Sequence, residues 1–112
     1  MSAKPGLDLD DAHWMLVKDI LYKHIPDREV WAFGSRVHGT AKKLSDLDLA
    51  VMGAAPLPLA ISAALADEFS QSDLPWKVDV VDWSATGESF RRIIERHKVL
   101  VQRPRDGSDP GR

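Results

Sequence analysis

Asp46-Leu47-Asp48 opens an otherwise apolar run, Leu49-Ala50-Val51. In a strand, residues two apart share a face, so Asp46 and Asp48 project together while Leu47, Leu49 and Val51 turn to the core. Two carboxylates about 4 Å apart repel by roughly 4 kcal/mol at an effective dielectric near 20. Water, a shared proton or a bridging divalent cation relieves that repulsion, and an all-carboxylate donor set suits a hard ion such as Mg2+. Taken alone, the pair also fits an exposed strand edge with two solvated aspartates. Aspartate is a poor strand former, however, and two of them inside one strand call for a reason. Upstream lies Phe33-Gly34-Ser35-Arg36-Val37-His38-Gly39. A strand that ends in Gly-Ser and turns towards a helix offers free backbone N–H groups and a hydroxyl to phosphate oxygens, and Arg36 can add positive charge. Most Gly-Ser pairs are plain turns. Joined at fixed spacing to a carboxylate pair, Gly34 and Ser35 read as the phosphate half of a nucleoside triphosphate site.

Gly34-Ser35, ten intervening residues and then Asp46-Leu47-Asp48 resemble the G-S-x10-D-x-D signature of the nucleotidyltransferase superfamily. The chain is most similar to its minimal members, the MNT proteins that act as antitoxins beside HEPN toxins, over roughly residues 10 to 101. The resemblance implies a polymerase-beta-like palm with Mg2+ held by three carboxylates, and transfer of AMP from ATP with release of pyrophosphate. It further implies that the acceptor is a tyrosine hydroxyl of a HEPN ribonuclease partner, which is thereby silenced.

The family's third carboxylate lies on the strand after the second helix, where this chain has both Asp79 and Asp82. Three residues apart, they face opposite ways in a regular strand. Asp79, between valines at mid-strand, is the expected third metal ligand, and Asp82 at the strand end has turn or capping duty. One position departs from the pattern. Where many relatives read Gly-Ser-x-Ala-Arg-Gly, this chain has His38, which carries less charge than arginine at neutral pH. It serves equally as a phosphate contact or as a turn residue.

The elements that must position these groups read as helix, strand, turn, strand, helix, strand, helix and tail. Asp10 or Asp11 caps a first helix with Trp14, Val17, Leu21 and Ile25 on one face, ended by Pro26. Val30 to Phe33 suits a buried strand closed by Gly34, and Asp46 to Met52 is the next. Leu57, Ile61, Leu65 and Phe69 mark a second helix, Trp76 to Trp83 a third strand. Ser84 is placed to cap a last helix with Phe90, Ile93, Ile94 and His97 at helical spacing. Val99-Leu100-Val101 forms a short strand or an extended end. The class is α/β in the broad sense (α+β), a small mixed palm-like sheet packed with helices. One minimal nucleotidyltransferase domain is expected over 1–102, with a disordered tail over 103–112.

The chain has 112 residues, no cysteine, and 15 Lys and Arg against 17 Asp and Glu. One domain with a modest core follows from that length. Disulfides, cysteine-based zinc sites and thiol nucleophiles are excluded. A net charge of −2 argues against a protein held on nucleic acid mainly by phosphate contacts. The N-terminus lacks the apolar core of a signal peptide. The uncharged stretch from Leu49 to Ala66 is broken by Gly53, Pro56 and Pro58, so it reads as strand end, loop and helix rather than a membrane span. The location expected is cytoplasmic. His13, His24 and His97 are scattered, and the four tryptophans suit core or interface positions. Two rivals to adenylyl transfer onto a HEPN toxin stand beside it. One is a binding antitoxin that covers its toxin, and the other is a transferase acting on small molecules.

Overall fold

The computed structural model describes residues 9–34 and 46–105. Four strands form one sheet: β1 (Val30–Phe33), β2 (Leu47–Val51), β3 (Val78–Asp82) and β4 (Val99–Gln102). Three α-helices are described, α1 (Asp11–His24), α2 (Leu59–Gln71) and α3 (Glu88–Arg96). The sheet order is β3-β2-β1-β4, with β1 antiparallel to β2 and β4, and β2 parallel to β3. The parallel pair needs a crossover, which α2 supplies.

Residue parity divides the sheet into two unlike faces. Val30, Ala32, Leu47, Leu49, Val51 and Val101 are buried beneath Trp14, Val17, Leu21, Leu65 and Phe69 of α1 and α2. The other face carries a smaller cluster of Phe33, Ala50 and Ile94, flanked by Met52, Val81 and Trp83. Among the described residues α3 is the helix that packs on that second face, and Asp48 and Asp79 are found there too.

Several boundaries differ from the sequence expectation. Asp46 lies just ahead of β2 and Met52 just after it, and β3 is shorter than Trp76–Trp83. The N-cap of α1 is Asp10, one of the two residues expected, though its side chain makes no capping bond. Ser84 does not cap the last helix. It sits within a 3-10 turn, Trp83–Ala85, and the N-cap of α3 is Gly87. The apolar spacing of the last helix leads to one buried residue, Ile94, and leaves Phe90 and Ile93 exposed.

Three side chains fasten the ends of these elements. The buried Gln102 donates through Nε2 to the carbonyls of Ile25 (2.8 Å) and Arg28 (2.9 Å), so the last strand holds the turn between α1 and β1. Arg28 donates to the carbonyls of Met52 and Ala55, each at 2.9 Å. Gly53, at φ +142°, lies under that guanidinium, and a Cβ there would overlap it. His24 Nε2 meets Glu68 Oε1 at 2.7 Å and ties α1 to α2, and this bond with Lys23 alongside holds the Glu68 carboxyl below its usual range. Beyond β4 the backbone N–H of Arg105 donates to Pro26 O at 2.7 Å. No helix among the described residues is long and apolar enough to cross a membrane.

Candidate nucleotide and metal site

The antiparallel register sets Phe33 opposite Asp48, and the parallel register sets Asp48 opposite Asp79. Residues directly opposite across a ladder share a face. Phe33, Asp48 and Asp79 therefore form one row across β1, β2 and β3, with Asp46 two residues before Asp48 on the same side. Burial first, then the charges of Asp79 and Asp46, push the Asp48 carboxyl up to about 6. Those two like-charge effects show electrostatically that the three aspartates share one neighbourhood. Asp79 is the most open of them.

Gly34 follows β1 at φ +87°, a left-handed conformation that favours glycine. It is also the floor under Asp48, because a Cβ at Gly34 would overlap Asp48 Oδ2. The glycine thus has two physical reasons to be there, backbone conformation and close approach. Ser35, Arg36 and His38, expected beside it, lie outside the described residues.

Asp82 stands apart from this row. It pairs with Val51, and its neighbours are turn groups rather than carboxylates. Its carboxylate accepts from the backbone N–H of Leu57 (2.8 Å) and Ser84 (3.1 Å) and from Ser84 Oγ (2.8 Å). Burial pushes its pKa up, but these bonds and the Arg28 charge outweigh that and leave it below the usual value. An Asp82→Ala substitution is expected to cost about 2 kcal/mol of stability, the scale of lost hydrogen bonds to a charged group. Denaturant midpoints should fall while the catalytic rate of the folded protein is kept. Asp79→Ala should do the reverse. If Asp82→Ala instead leaves stability unchanged and removes activity, the third carboxylate has been misassigned.

The donor set fits a hard divalent cation: every candidate atom is a carboxylate oxygen, and Asp48 bears a repulsion that a cation would relieve. Among the described residues no three such groups converge tightly enough to enclose an ion by themselves. Mg2+ takes one or two protein carboxylates and fills its other positions with water and phosphate oxygens, so a closed cage is not required. His13 stands edge-on to Trp76 at 5.7 Å and His24 is paired with Glu68, so neither belongs to this row. Grooves between α1 and α2 and between α1 and β4 contain none of the three aspartates. The sequence reading missed Phe33 as a neighbour of Asp48 and Phe90 beyond it. Only strand register could have revealed the first of these.

Sheet, crossover and acidic row together define a nucleotidyl-transfer palm. Residues 16–106 match the family described as polymerase beta, nucleotidyltransferase, and the chain belongs to that family. It is 48% identical over 102 residues to the Haemophilus influenzae protein named probable protein adenylyltransferase MntA, covering 91% of this chain and 90% of that protein. In fold it is similar to a chain in a crystal structure described as a toxin-antitoxin with AMP-PNP, at TM-score 0.68 and 24% identity, covering 86% of this chain and 76% of that one. A chain in the complex of tri-AMPylated Shewanella oneidensis HEPN toxin with MNT antitoxin gives TM-score 0.58 and 22% identity, covering 80% of this chain and 72% of that one.

Proposed function

We propose that this protein transfers AMP from ATP to a tyrosine hydroxyl of a HEPN-type ribonuclease toxin and so acts as its antitoxin. The observation that carries the reading is identity of 48% with the protein named probable protein adenylyltransferase MntA, over nine-tenths of both chains. The acidic row beside Gly34 supports it. In the reaction the phenol oxygen bonds to the α-phosphorus of ATP, the bond from that phosphorus to the bridging oxygen breaks, and pyrophosphate leaves. Gly34, Ser35 and Arg36 bind the triphosphate in this scheme, through backbone N–H groups, a hydroxyl and a guanidinium. Asp46, Asp48 and Asp79 are the residues that would hold Mg2+, which when bound offsets charge on the phosphates. Asp79, the most open of the three, is the group that accepts the phenol proton in this scheme. We place the reaction in the cytoplasm, where ATP is supplied.

The test is the intact mass of the toxin partner after co-expression with wild type and with an Asp46→Asn, Asp48→Asn variant. AMP added only by wild type is the expected result. An unmodified partner, bound and silenced equally by both forms, would overturn the transfer and leave a protein that inhibits by covering its toxin. Transfer to free small molecules but not to the partner would make it a small-molecule enzyme.

A further inference from the structure

The last helix is built unlike the others. Its apolar stripe continues past the residue that anchors it: Ile94 is fully buried against Phe33 and Ala50, yet Phe90 is 38% and Ile93 55% exposed. Three positions apart, Phe90 and Ile93 share one side of α3. Phe90 meets Phe33 edge-on, with ring centroids 5.8 Å apart at 82°. Phe33 is the register partner of Asp48, and Asp48 that of Asp79. An apolar wall therefore runs from the exposed side of α3 directly to the acidic row.

Neighbouring polar groups on α3 face other duties. Arg91 lies 4.8 Å over the Trp83 ring and donates to Trp83 O, and Arg92 pairs with Glu88 at 2.9 Å. The wall itself offers hydrocarbon and aromatic edges only, which match neither a triphosphate nor a metal. What must still approach the carboxylates is the group that brings the hydroxyl. A phenol presents an apolar ring with a polar tip, and such rings favour edge-to-face contact with an aromatic neighbour.

Resting on the adenylyl-transfer reading above, we propose that Phe90 and Ile93 determine acceptor specificity. They seat the aromatic and apolar segment of the toxin that carries the modified tyrosine, with its hydroxyl turned to the row of Asp48 and Asp79.

The experiment uses the full chain with Ile93→Glu, a change at a surface position, and separately Phe90→Ser. Three quantities are compared with wild type: the Kd for the toxin partner, the Kd for Mg-AMP-PNP by calorimetry, and the Tm. The expected result is a rise of at least tenfold in the toxin Kd for both variants, with nucleotide Kd and the Tm of Ile93→Glu unchanged. A matching rise in acceptor KM with unchanged kcat should accompany it. Weaker nucleotide binding with unchanged toxin binding would overturn the proposal and make the wall a base-stacking surface. Unchanged affinities for both ligands would overturn it as well. Toxin binding by wild type without any AMP transfer would sink the transfer reading alone, because the variants' toxin Kd would still decide the role of the wall.

Discussion

An Asp48→Asn variant should lose adenylyl transfer by about 10³-fold or more, since a metal-binding carboxylate contributes several kcal/mol of charge stabilisation. The same change should make the metal-free protein more stable. Burial and two neighbouring carboxylates raise the Asp48 pKa from 3.8 to about 6, so the folded state holds that proton more tightly than the unfolded chain. Between those two values the unfolded chain gives up its proton first, and the native state loses stability as pH rises from about 4 to about 6. Unscreened, a shift of this size corresponds to about 3 kcal/mol. Because the side chain is only half withdrawn from water, screening leaves about 1–2 kcal/mol. Asparagine has the same shape without the charge. Thermal unfolding should therefore show Asp48→Asn melting several degrees above wild type at pH 7.5 without metal, with the gap closing near pH 4. Adding Mg2+ should raise the wild-type Tm and leave the variant unmoved, by mass action on the native state. A variant no more stable than wild type at pH 7.5 would mean that Asp48 bears no such repulsion.

Gly34→Ala should damage the protein from both sides of one contact. The left-handed φ of +87° costs a residue with a Cβ about 1–2 kcal/mol. The added methyl would also overlap Asp48 Oδ2, so the carboxylate must swing away from Gly34 and out of its place in the acidic row. A displacement near 1 Å in a reacting group costs roughly 10²-fold in rate, and we expect a loss of that order. The two contributions separate in a double-variant cycle. With Asp48→Ala in the background the overlap is gone, and only the backbone cost should remain in the denaturant midpoint. Equal costs in both backgrounds would show that the glycine serves the turn and not the carboxylate.

Much of this arrangement was legible from residue types. Val30–Phe33 closed by Gly34 reads directly as a buried strand, because four apolar residues end at a turn former. The two-residue spacing of Asp46 and Asp48 places them on one face by pleat geometry alone. Parity also shows that Asp79 and Asp82 point opposite ways, but it does not say which of them meets Asp48. That depends on the alignment of β3 with β2, a relation between segments about thirty residues apart that no local pattern encodes. The last helix forms where its spacing indicates, but how much of it is covered was not legible, for a related reason. Periodicity identifies a stripe at Phe90, Ile93 and Ile94 without saying how much of it the sheet has room to cover. Ser84 was misplaced because Asp82 first turns the chain through a 3-10 segment, which postpones the start of the helix to Glu88.

The strand order also bears on how the chain comes into being at the ribosome. The glycine and three aspartates of the site span residues 34 to 79, so the acidic row is in place once β3 has been made. One edge of β1, by contrast, has no partner until β4 is synthesised some seventy residues after it. Until then one edge of β1 is a row of unpaired backbone groups, the kind of edge that invites other strands. Gln102, which bonds to the Ile25 and Arg28 carbonyls, comes at the end of that interval and closes the seam between the first and last segments of the fold.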